Sequence, residues 1–413
     1  MELTRKEMLK LSLLGSAALF LPMQRAAKTQ LSIANEIPES QLPRPFTLPF
    51  AVPPVAKPVH RSATTDYYQM AMRNKKAEIL PGLQTEVWGY EGITPGPTIV
   101  AERGREVVVR HSNEIWNRDH RWTSVHLHGN ASLPQYDGYA SDITKPGEFK
   151  DYHFPNGQDA RTLWYHDHGV HDTALNAYMG CAAFYISHDE LEQSLPIPKG
   201  KYDVPLVLRD ATFATDGSLI FDDQGESNLY GNVILANGVP WPKMKVERRK
   251  YRFRLLNASI SRSFDLALSS DEPFTVIGTD GGLMPEPKEV GNMRFGMAER
   301  YEIVIDFAKY NVGDQIVLKN LQPKNNQEFL NTDVIMRFDV VGEASDRKNN
   351  QIPSELNPEN HVMQLDESQA VRTRKLSFQR DNGLWTINGE TWHDVIASDF
   401  KSTVGNPGLN DVE

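Results

Sequence analysis

Two histidine pairs are the residues whose type and spacing could do chemistry. His126 and His128 form the first pair, and His166 and His168 form the second. On a strand, residues i and i+2 point to the same face about 6.5–7 Å apart. Two neighbouring strands would therefore direct four imidazoles into one volume. Since neutral imidazole binds copper, zinc, iron and nickel, the spacing predicts one shared metal site, with ordinary core or surface histidines as the alternative.

The elements that must position these histidines are short strands. Apolar, β-branched and aromatic runs, separated by turns rich in the 28 glycines and 26 prolines, predict an all-β chain. Runs such as 251–255 alternate as half-buried sandwich strands do. One short helix is expected over residues 173–179.

Beyond the histidines, several segments form a wider pattern. They are His126-Leu127-His128-Gly129, Asp137-Gly138, Ala160-Arg161-Thr162-Leu163-Trp164-Tyr165-His166-Asp167-His168, Asn176-Ala177-Tyr178-Met179-Gly180, Met297-Ala298-Glu299-Arg300-Tyr301-Glu302 and Trp385-Thr386-Ile387-Asn388-Gly389. Together these segments resemble the multicopper oxidases and, within that family, the branch of bilirubin oxidases and spore-coat laccases.

The resemblance implies consecutive Greek-key, cupredoxin-like β-sandwich domains, two complete and the start of a third. It also implies copper as cofactor, with His126 on the type 2 ion and His128, His166 and His168 on the type 3 pair of a trinuclear cluster. The reaction implied is one-electron oxidation of phenolic, pyrrolic or metal-ion substrates, coupled to four-electron reduction of O₂ to water. Asp137 matches a carboxylate that relays protons to the cluster, with a plain turn residue as the alternative.

The sequence departs from the family in one respect. The family has four copper-ligand motifs, and this chain has two, because a His-Pro-x-His-x-His run and a His-Cys-His run are missing. We therefore expect a chain cut short at Glu413, without the type 1 copper site and with little oxidase turnover by itself. A separately encoded third domain is the partner that this interpretation requires.

Two other functions are alternatives to this interpretation. A non-catalytic, copper-binding or scaffolding pair of cupredoxin domains is the main alternative. A mononuclear zinc or iron hydrolase is disfavoured, because the run from His166 to His171 does not give the His-x-His-x-Asp-His order of metallo-β-lactamases.

Several further residues have ordinary interpretations. Cys181 is the single cysteine, and no histidine follows it at the type 1 spacing, so it is predicted to be a buried core thiol. Trp164 is expected to pack, Asp167 to face away from the metal and form a structural hydrogen bond, and His171 to be partly exposed. The six histidines read as ordinary are His60, His111, His120, His153, His361 and His393.

Composition and segment boundaries complete the prediction. The chain is divided into an export-signal-like segment (1–30), a proline-rich arm (31–60), a first domain with both histidine pairs (61–195), a second domain without histidine (196–342), a linker (343–371) and the start of a third domain (372–413). Runs 374–378 and 384–388 predict the first strands of the last segment.

The N-terminal segment and the net charge bear on location and partners. Arg5-Lys6 resembles a twin-arginine export signal with lysine in the second place, which predicts a periplasmic or extracellular protein. The following apolar stretch is too short to span a membrane. A formal net charge of −10 argues against a nucleic-acid partner.

Overall fold

The computed structural model describes residues 35–116, 122–222, 228–360, 366–371, 373 and 375–398. Contacts divide the chain into two compact units at Asn360. The predicted export segment, His120 and His361 lie outside the described residues. Within the described residues, no helix is both long and apolar enough to cross a membrane. The predicted domain boundaries stay a prediction, and "first domain" and "second domain" below mean residues 61–195 and 196–342.

The first domain and the residue before it form two facing sheets. Its strands are β1 (His60–Arg61), β2 (Thr65–Ala77), β3 (Thr85–Tyr90), β4 (Ile99–Glu102), β5 (Glu106–Glu114), β6 (Val125–His128), β7 (Phe149–Phe154), β8 (Arg161–Asp167) and β9 (Ala182–His188). One sheet has the order β1-β2-β5-β7 with β3 on β2, and the other has the order β4-β9-β8-β6. Parallel pairing of β2 with β5 and of β4 with β9 requires the chain to cross between sheets, as Greek-key sandwiches do.

The second domain repeats this architecture. Its strands are β10 (Asp203–Ala211), β11 (Val233–Ala236), β12 (Val239–Pro240), β13 (Lys243–Arg248), β14 (Lys250–Asn257), β15 (Phe264–Leu268), β16 (Phe274–Thr279), β17 (Gly282–Val290), β18 (Asn292–Phe295), β19 (Arg300–Asp306), β20 (Gln315–Asn320) and β21 (Val334–Glu343). They form one sheet of order β12-β11-β10-β14-β19-β16-β17 and a second of order β13-β21-β20-β15-β18. The all-β, cupredoxin-like prediction is confirmed.

Short helices occupy the connections. The helix α1 (Thr173–Met179) confirms the predicted one, and α2 (Glu190–Ser194) lies between the two domains in sequence. Among the described residues, 3₁₀ turns cover Glu39–Gln41, Pro134–Tyr136, Gly200–Tyr202, Phe307–Lys309 and Glu367–Gln369. Asp189 caps α2 by accepting a hydrogen bond from the Glu192 amide, which orients the Glu192 side chain inward.

The proline-rich arm and the predicted linker both pack against the β-sandwich domains. The arm forms isolated bridges from Pro49 to Lys243 and from Val55 to Thr98, so it contacts both domains. Residues 344–360 contain no strand or helix, yet Leu356 is buried and its amide donates to the Pro285 carbonyl. This stretch therefore packs against the second domain.

The strand β14 corrects one prediction. Its alternation predicts a half-buried strand, whereas the side chains of Arg252 and Arg254 are only 1% exposed. Arg254 donates to the Thr162 hydroxyl of the first domain at 3.2 Å and to the Asp203 carboxylate at 2.8 Å. Because the polar side of β14 is turned toward the first domain and α2, both of its faces are buried.

The second unit is small. It contains a hairpin of β22 (Phe378–Asp381) and β23 (Leu384–Ile387), followed by α3 (Trp392–Ala397). The strand predicted over 374–378 begins only at Phe378, because Ser377 bonds the side chain of Asn388 at the base of the hairpin instead. Residues 399–413 of the predicted third domain lie outside the described part.

Candidate metal centre

The two histidine pairs lie on adjacent antiparallel strands. In the register of β6 on β8, His126 lies opposite His166, and His128 lies opposite Trp164. Side chains that are directly opposite share a face, so both pairs project from the same side of the sheet. Leu127 and Tyr165, which alternate with them, are buried in the main core. The period of two along each strand is therefore what separates the ligand face from the core face.

The ring nitrogens of three histidines converge. One ligand nitrogen each from His126, His128 and His166 lies within 4.8 Å of the others, and this is the only such group of His, Cys, Asp or Glu in the described part of the chain. His168 stands beside it, with its ring centroid 5.2 Å from that of His126 and 5.9 Å from that of His166. The structure thus brings all four predicted residues together, with His168 at the edge of the group.

Backbone carbonyls fix the tautomers of two histidines. His126 Nδ1 lies 2.6 Å from the Asp137 carbonyl, and His166 Nδ1 lies 2.7 Å from the Asp167 carbonyl. Since a carbonyl only accepts, each Nδ1 carries the proton, and each Nε2 is unprotonated and can act as an acceptor. That is the arrangement by which metal-bound histidines are usually oriented.

His128 completes the group through a different nitrogen. Its Nδ1 lies 3.3 Å from His166 Nε2, so Nδ1 of His128 is the donor in the metal-free molecule. Trp164 stacks on both rings, at 4.1 Å from His166 and 5.3 Å from His128 between centroids. The predicted packing role of Trp164 is therefore confirmed, and the residue it packs against is the ligand set.

Burial keeps the imidazoles of His128, His166 and His168 neutral. Desolvation, assisted by Arg300 and the neighbouring histidines, lowers the pKa of His128 to about 4. Desolvation also lowers the pKa of His166 well below its usual value and lowers that of His168. Because a metal ion needs the unprotonated ring, the environment favours the form that binds metal at neutral pH.

Asp167 faces away from the histidine ligands, as predicted. Its hydrogen bonds connect the two histidine-bearing segments. Its carboxylate accepts from the Ser124 amide at 2.8 Å, the Gly169 amide at 3.0 Å and the Asn176 side chain at 3.0 Å. Burial raises the pKa of Asp167 to about 7, against these three hydrogen bonds. Ser124 comes just before β6 and Gly169 just after His168, so one side chain ties together both motifs.

Asp137 lies at the rim of the group. Its side chain is 39% exposed, and Oδ1 is 3.5 Å from His126 Nδ1. The next residue, Gly138, has φ of +68°, and a Cβ there would lie 1.9 Å from the Val125 carbonyl oxygen. Only glycine permits this close approach of the turn to β6, which places Asp137 next to His126. A proton-relay role for Asp137 stays a prediction.

Two other expectations are met. Cys181 is fully buried and its Sγ lies 2.6 Å from the Trp88 carbonyl oxygen, so it is the predicted core thiol. Burial raises its pKa well above the usual value for a thiol. His171 is exposed and adopts a φ of +68° just after the ligand strand.

The donor set fits a borderline or soft transition metal. It offers imidazole nitrogens and no carboxylate within the converging group, and such a set suits copper or zinc rather than magnesium or calcium. His168 Nδ1 is buried without a hydrogen-bond partner. A buried nitrogen without a partner is costly unless it has a ligand, so these residues fit the copper that the sequence predicts.

Comparisons of the sequence with known proteins find one family. Residues 71–191 and 202–336 each match a multicopper oxidase family profile. The chain is 38% identical over 372 residues to bilirubin oxidase from Albifimbria verrucaria, covering 85% of this chain and 63% of that protein. It is 34% identical over 388 residues to laccase from Bacillus subtilis, covering 84% of this chain and 75% of that enzyme.

Solved structures give the same result for the fold. The McoA multicopper oxidase of the hyperthermophile Aquifex aeolicus superposes with a TM-score of 0.70 at 29% identity, covering 84% of this chain and 76% of that one. This chain belongs to the multicopper oxidase family.

The sequence did not predict that Arg300 lies beside the histidine group. Arg300 comes from the second domain, yet its Nη2 lies only 2.6 Å from where a Cβ on Gly129 would be, directly after His128. The available signal was the pair of charges at Arg300 and Glu302, which precede the apolar residues 303–305 of the same strand. Charges at i and i+2 share a face, and here that face is turned to the first domain.

Proposed function

We propose that His126, His128, His166 and His168 hold copper as the first-domain half of a trinuclear cluster in a multicopper oxidase. His126 would bind the type 2 ion, and the other three would bind the type 3 pair. The observation that carries this proposal is the pairing of His126 with His166 across β6 and β8, with each Nδ1 hydrogen-bonded to a carbonyl and each Nε2 unprotonated.

The proposed reaction is oxidation of a phenolic, pyrrolic or metal-ion substrate coupled to reduction of O₂ to water. The similarity to proteins named bilirubin oxidase and laccase supports this substrate range. Copper bound at the histidines would supply the one-electron chemistry. The protein's own part is to keep the imidazoles neutral, fix their tautomers and exclude water from their buried side. The scaffold alternative has no observation that favours it.

Asp137 would handle protons for this reaction. Reduction of O₂ consumes protons, and a carboxylate between solvent and the site can deliver them. The Asp137 carboxylate is partly exposed on one side and lies 3.5 Å from His126 Nδ1 on the other. It can therefore take a proton from water at one oxygen and present it at the mouth of the site.

The remaining cluster ligands and the type 1 copper would come from a third cupredoxin domain. Cys181 does not serve, because its thiol is buried against the Trp88 carbonyl. Copper loading of these 413 residues should therefore give no intense blue absorption band. An intense band would mean that Cys181, the single thiol, has been misassigned.

The activity test supplies the missing domain. Co-expression with a third domain from a related oxidase should restore O₂ consumption with phenols or bilirubin. His166→Ala in that complex should abolish O₂ reduction and leave the blue colour, since its copper is not the type 1 ion. Full activity in His166→Ala would contradict the ligand assignment. We also propose export to the periplasm or exterior, which a cleaved N-terminus on the secreted protein would support.

A further inference from the structure

The face of β8 that carries His166 is shared between the metal site and the second domain. Thr162, Trp164 and His166 are spaced by two residues and lie on one side of the strand. Trp164 and Phe184 form a buried cluster with Val207 and Leu256 of the second domain. Thr162 and Trp164 on this face therefore contact the second domain, and His166 on the same face is the proposed metal ligand.

Thr162 is the residue of β8 that forms hydrogen bonds with the second domain. Its hydroxyl donates to Glu302 Oε1 at 2.7 Å and accepts from Arg254 Nη1 at 3.2 Å. Its carbonyl accepts from Arg300 Nε at 3.2 Å. Three charged side chains of the second domain thus converge on one residue, four positions before His166.

Arg300 also reaches the other ligand strand. Its side chain is 4% exposed and is held by the Ala298 carbonyl and the Asp280 carboxylate. Its Nη2 lies against Gly129, where an added Cβ would be only 2.6 Å away. Because Gly129 follows His128 and Thr162 lies on β8, a single guanidinium contacts both histidine-bearing segments.

The contacts around Thr162 are too well buried to be incidental. Glu302 and Arg254 have side chains that are 2% and 1% exposed, and they form an ion pair at 2.9 Å. Burial alone would raise the pKa of Glu302, but Arg252 and Arg254 hold it below its usual range. A charged, hydrogen-bonded acceptor in a dry interface fixes its donor firmly.

We propose that Arg300 and Glu302 are positioning residues for the copper site, acting on β8 through Thr162 and Trp164. The domain without ligands then sets where His166 presents its Nε2. Only the copper-binding part of this inference rests on the proposed function. It gives a role to the segment from Met297 to Glu302, which the metal chemistry itself does not use.

The test uses the full chain with Thr162→Val, which keeps the shape of the side chain and removes its hydroxyl. Thr162→Ser keeps the hydroxyl and serves as the conservative variant. Thr98→Val is the matched control, because the Thr98 hydroxyl is also buried but has no hydrogen-bond partner to lose. Arg300→Lys, which keeps the charge and loses the Nε donor, serves if Thr162→Val does not fold.

The first measurement is hydrogen–deuterium exchange of the metal-free protein. Thr162→Val should speed exchange in β8 about fivefold relative to β5, as expected for loss of one buried hydrogen bond. Thr162→Ser and Thr98→Val should leave β8 within about twofold of the parent. Equal protection of β8 in Thr162→Val and Thr98→Val would overturn the proposal, as would a uniform rise that includes β5.

The second measurement is a Cu(II) titration followed by electron paramagnetic resonance. Thr162→Val should weaken copper binding about tenfold and change the spectrum of the bound ion, as loss of an outer support does, and Thr162→Ser should restore both. An unchanged spectrum and affinity in Thr162→Val would overturn the proposal. If the parent chain binds no Cu(II), the proposed function fails, while the exchange measurement still decides the positioning role.

Discussion

The two domains have the same architecture, but the histidine group of the first and the Arg252–Arg254–Glu302 cluster of the second differ in how their polar groups are satisfied. In the first domain the central polar groups are neutral imidazoles with ring nitrogens left for a ligand. In the second domain they are charged, and Arg252, Arg254 and Glu302 satisfy one another within the protein. A site that must bind a metal needs ring nitrogens that a ligand can take over, whereas a cluster that holds two domains together pairs its charges within the protein. The comparison separates a functional from a structural polar cluster.

The largest effect should come from breaking the second cluster. Arg252→Ala removes a cation that pairs with Glu192 and Glu302, all with side chains at most 2% exposed. Two buried carboxylates would lose a partner, so we expect a loss of about 3–5 kcal/mol in the free energy of unfolding. Chemical denaturation measures it.

An exposed ion pair is the control for that variant. Lys309 and Glu272 have side chains 40% and 44% exposed at 2.9 Å. Lys309→Ala should cost about 1 kcal/mol or less, because solvent screens such pairs. If both variants lost the same free energy, the contrast between the buried network and an ordinary surface pair would be wrong.

The next largest effect concerns copper binding at the histidine group of the first domain. In Gly138→Ala, the new Cβ would strike the Val125 carbonyl and push the 137–138 turn away from β6. His126 would lose its Nδ1 acceptor, so copper binding should weaken about 10–100-fold. Isothermal titration measures this affinity.

Gly104→Ala is the matched control for the backbone strain. Gly104 also has positive φ, at +78°, but a Cβ there meets nothing within 4 Å. Copper binding should be unchanged in this variant although its stability falls slightly. Similar copper affinity in Gly104→Ala and Gly138→Ala would show that the turn does not orient His126.

Of the two domains, only the first should show histidine-linked acid sensitivity. His111 is buried among the rings of Tyr90, Tyr152 and Tyr165, and burial lowers its pKa to about 3. A depressed histidine pKa contributes stability above the unfolded value of 6.5 that is lost as pH falls toward 3. His111→Phe should therefore remove about 2 kcal/mol of the loss between pH 6.5 and 5.

Denaturation of both proteins across that pH range is the measurement. The second domain has no histidine between residues 196 and 342, so it should add no histidine-linked dependence there. The prediction fails if His111→Phe leaves the slope of stability against pH unaltered.

The smallest effect on binding should come from Asp137→Asn. The residue contributes its carbonyl to His126, and that group is unchanged by the substitution. Copper content and affinity should stay within about twofold of the parent, while turnover in the complemented enzyme should slow because a proton donor is lost. Loss of copper in Asp137→Asn would make the carboxylate a structural support for His126.

Local patterns were enough to predict the ligand face. The period of two along β6 and β8 places His126, His128 and His166 on one side, and flanking apolar residues place the other side in the core. The short helix α1 and the buried thiol of Cys181 follow from equally local signals. These features depend on neighbours in sequence, which is why the sequence reveals them.

What the sequence did not reveal depends on contacts between distant segments. The arginines of β14 resemble a solvent face until the first domain and α2 are placed against them. Arg300 is 171 residues after Gly129 in sequence, and no spacing rule connects the two. The convergence of Glu302 on Thr162 likewise exists only after both sandwiches have packed.

Copper titration of the whole chain tests the central claim most directly. Cu(II) is added in steps to the parent, to a His126→Ala/His166→Ala double variant and to His153→Ala, and bound copper is followed by electron paramagnetic resonance. His153 is a suitable control, because it lies on β7 and pairs with Glu106. We predict that the parent and His153→Ala bind copper at the same site and that the double variant loses it. Retention of that copper signal by the double variant would contradict the account.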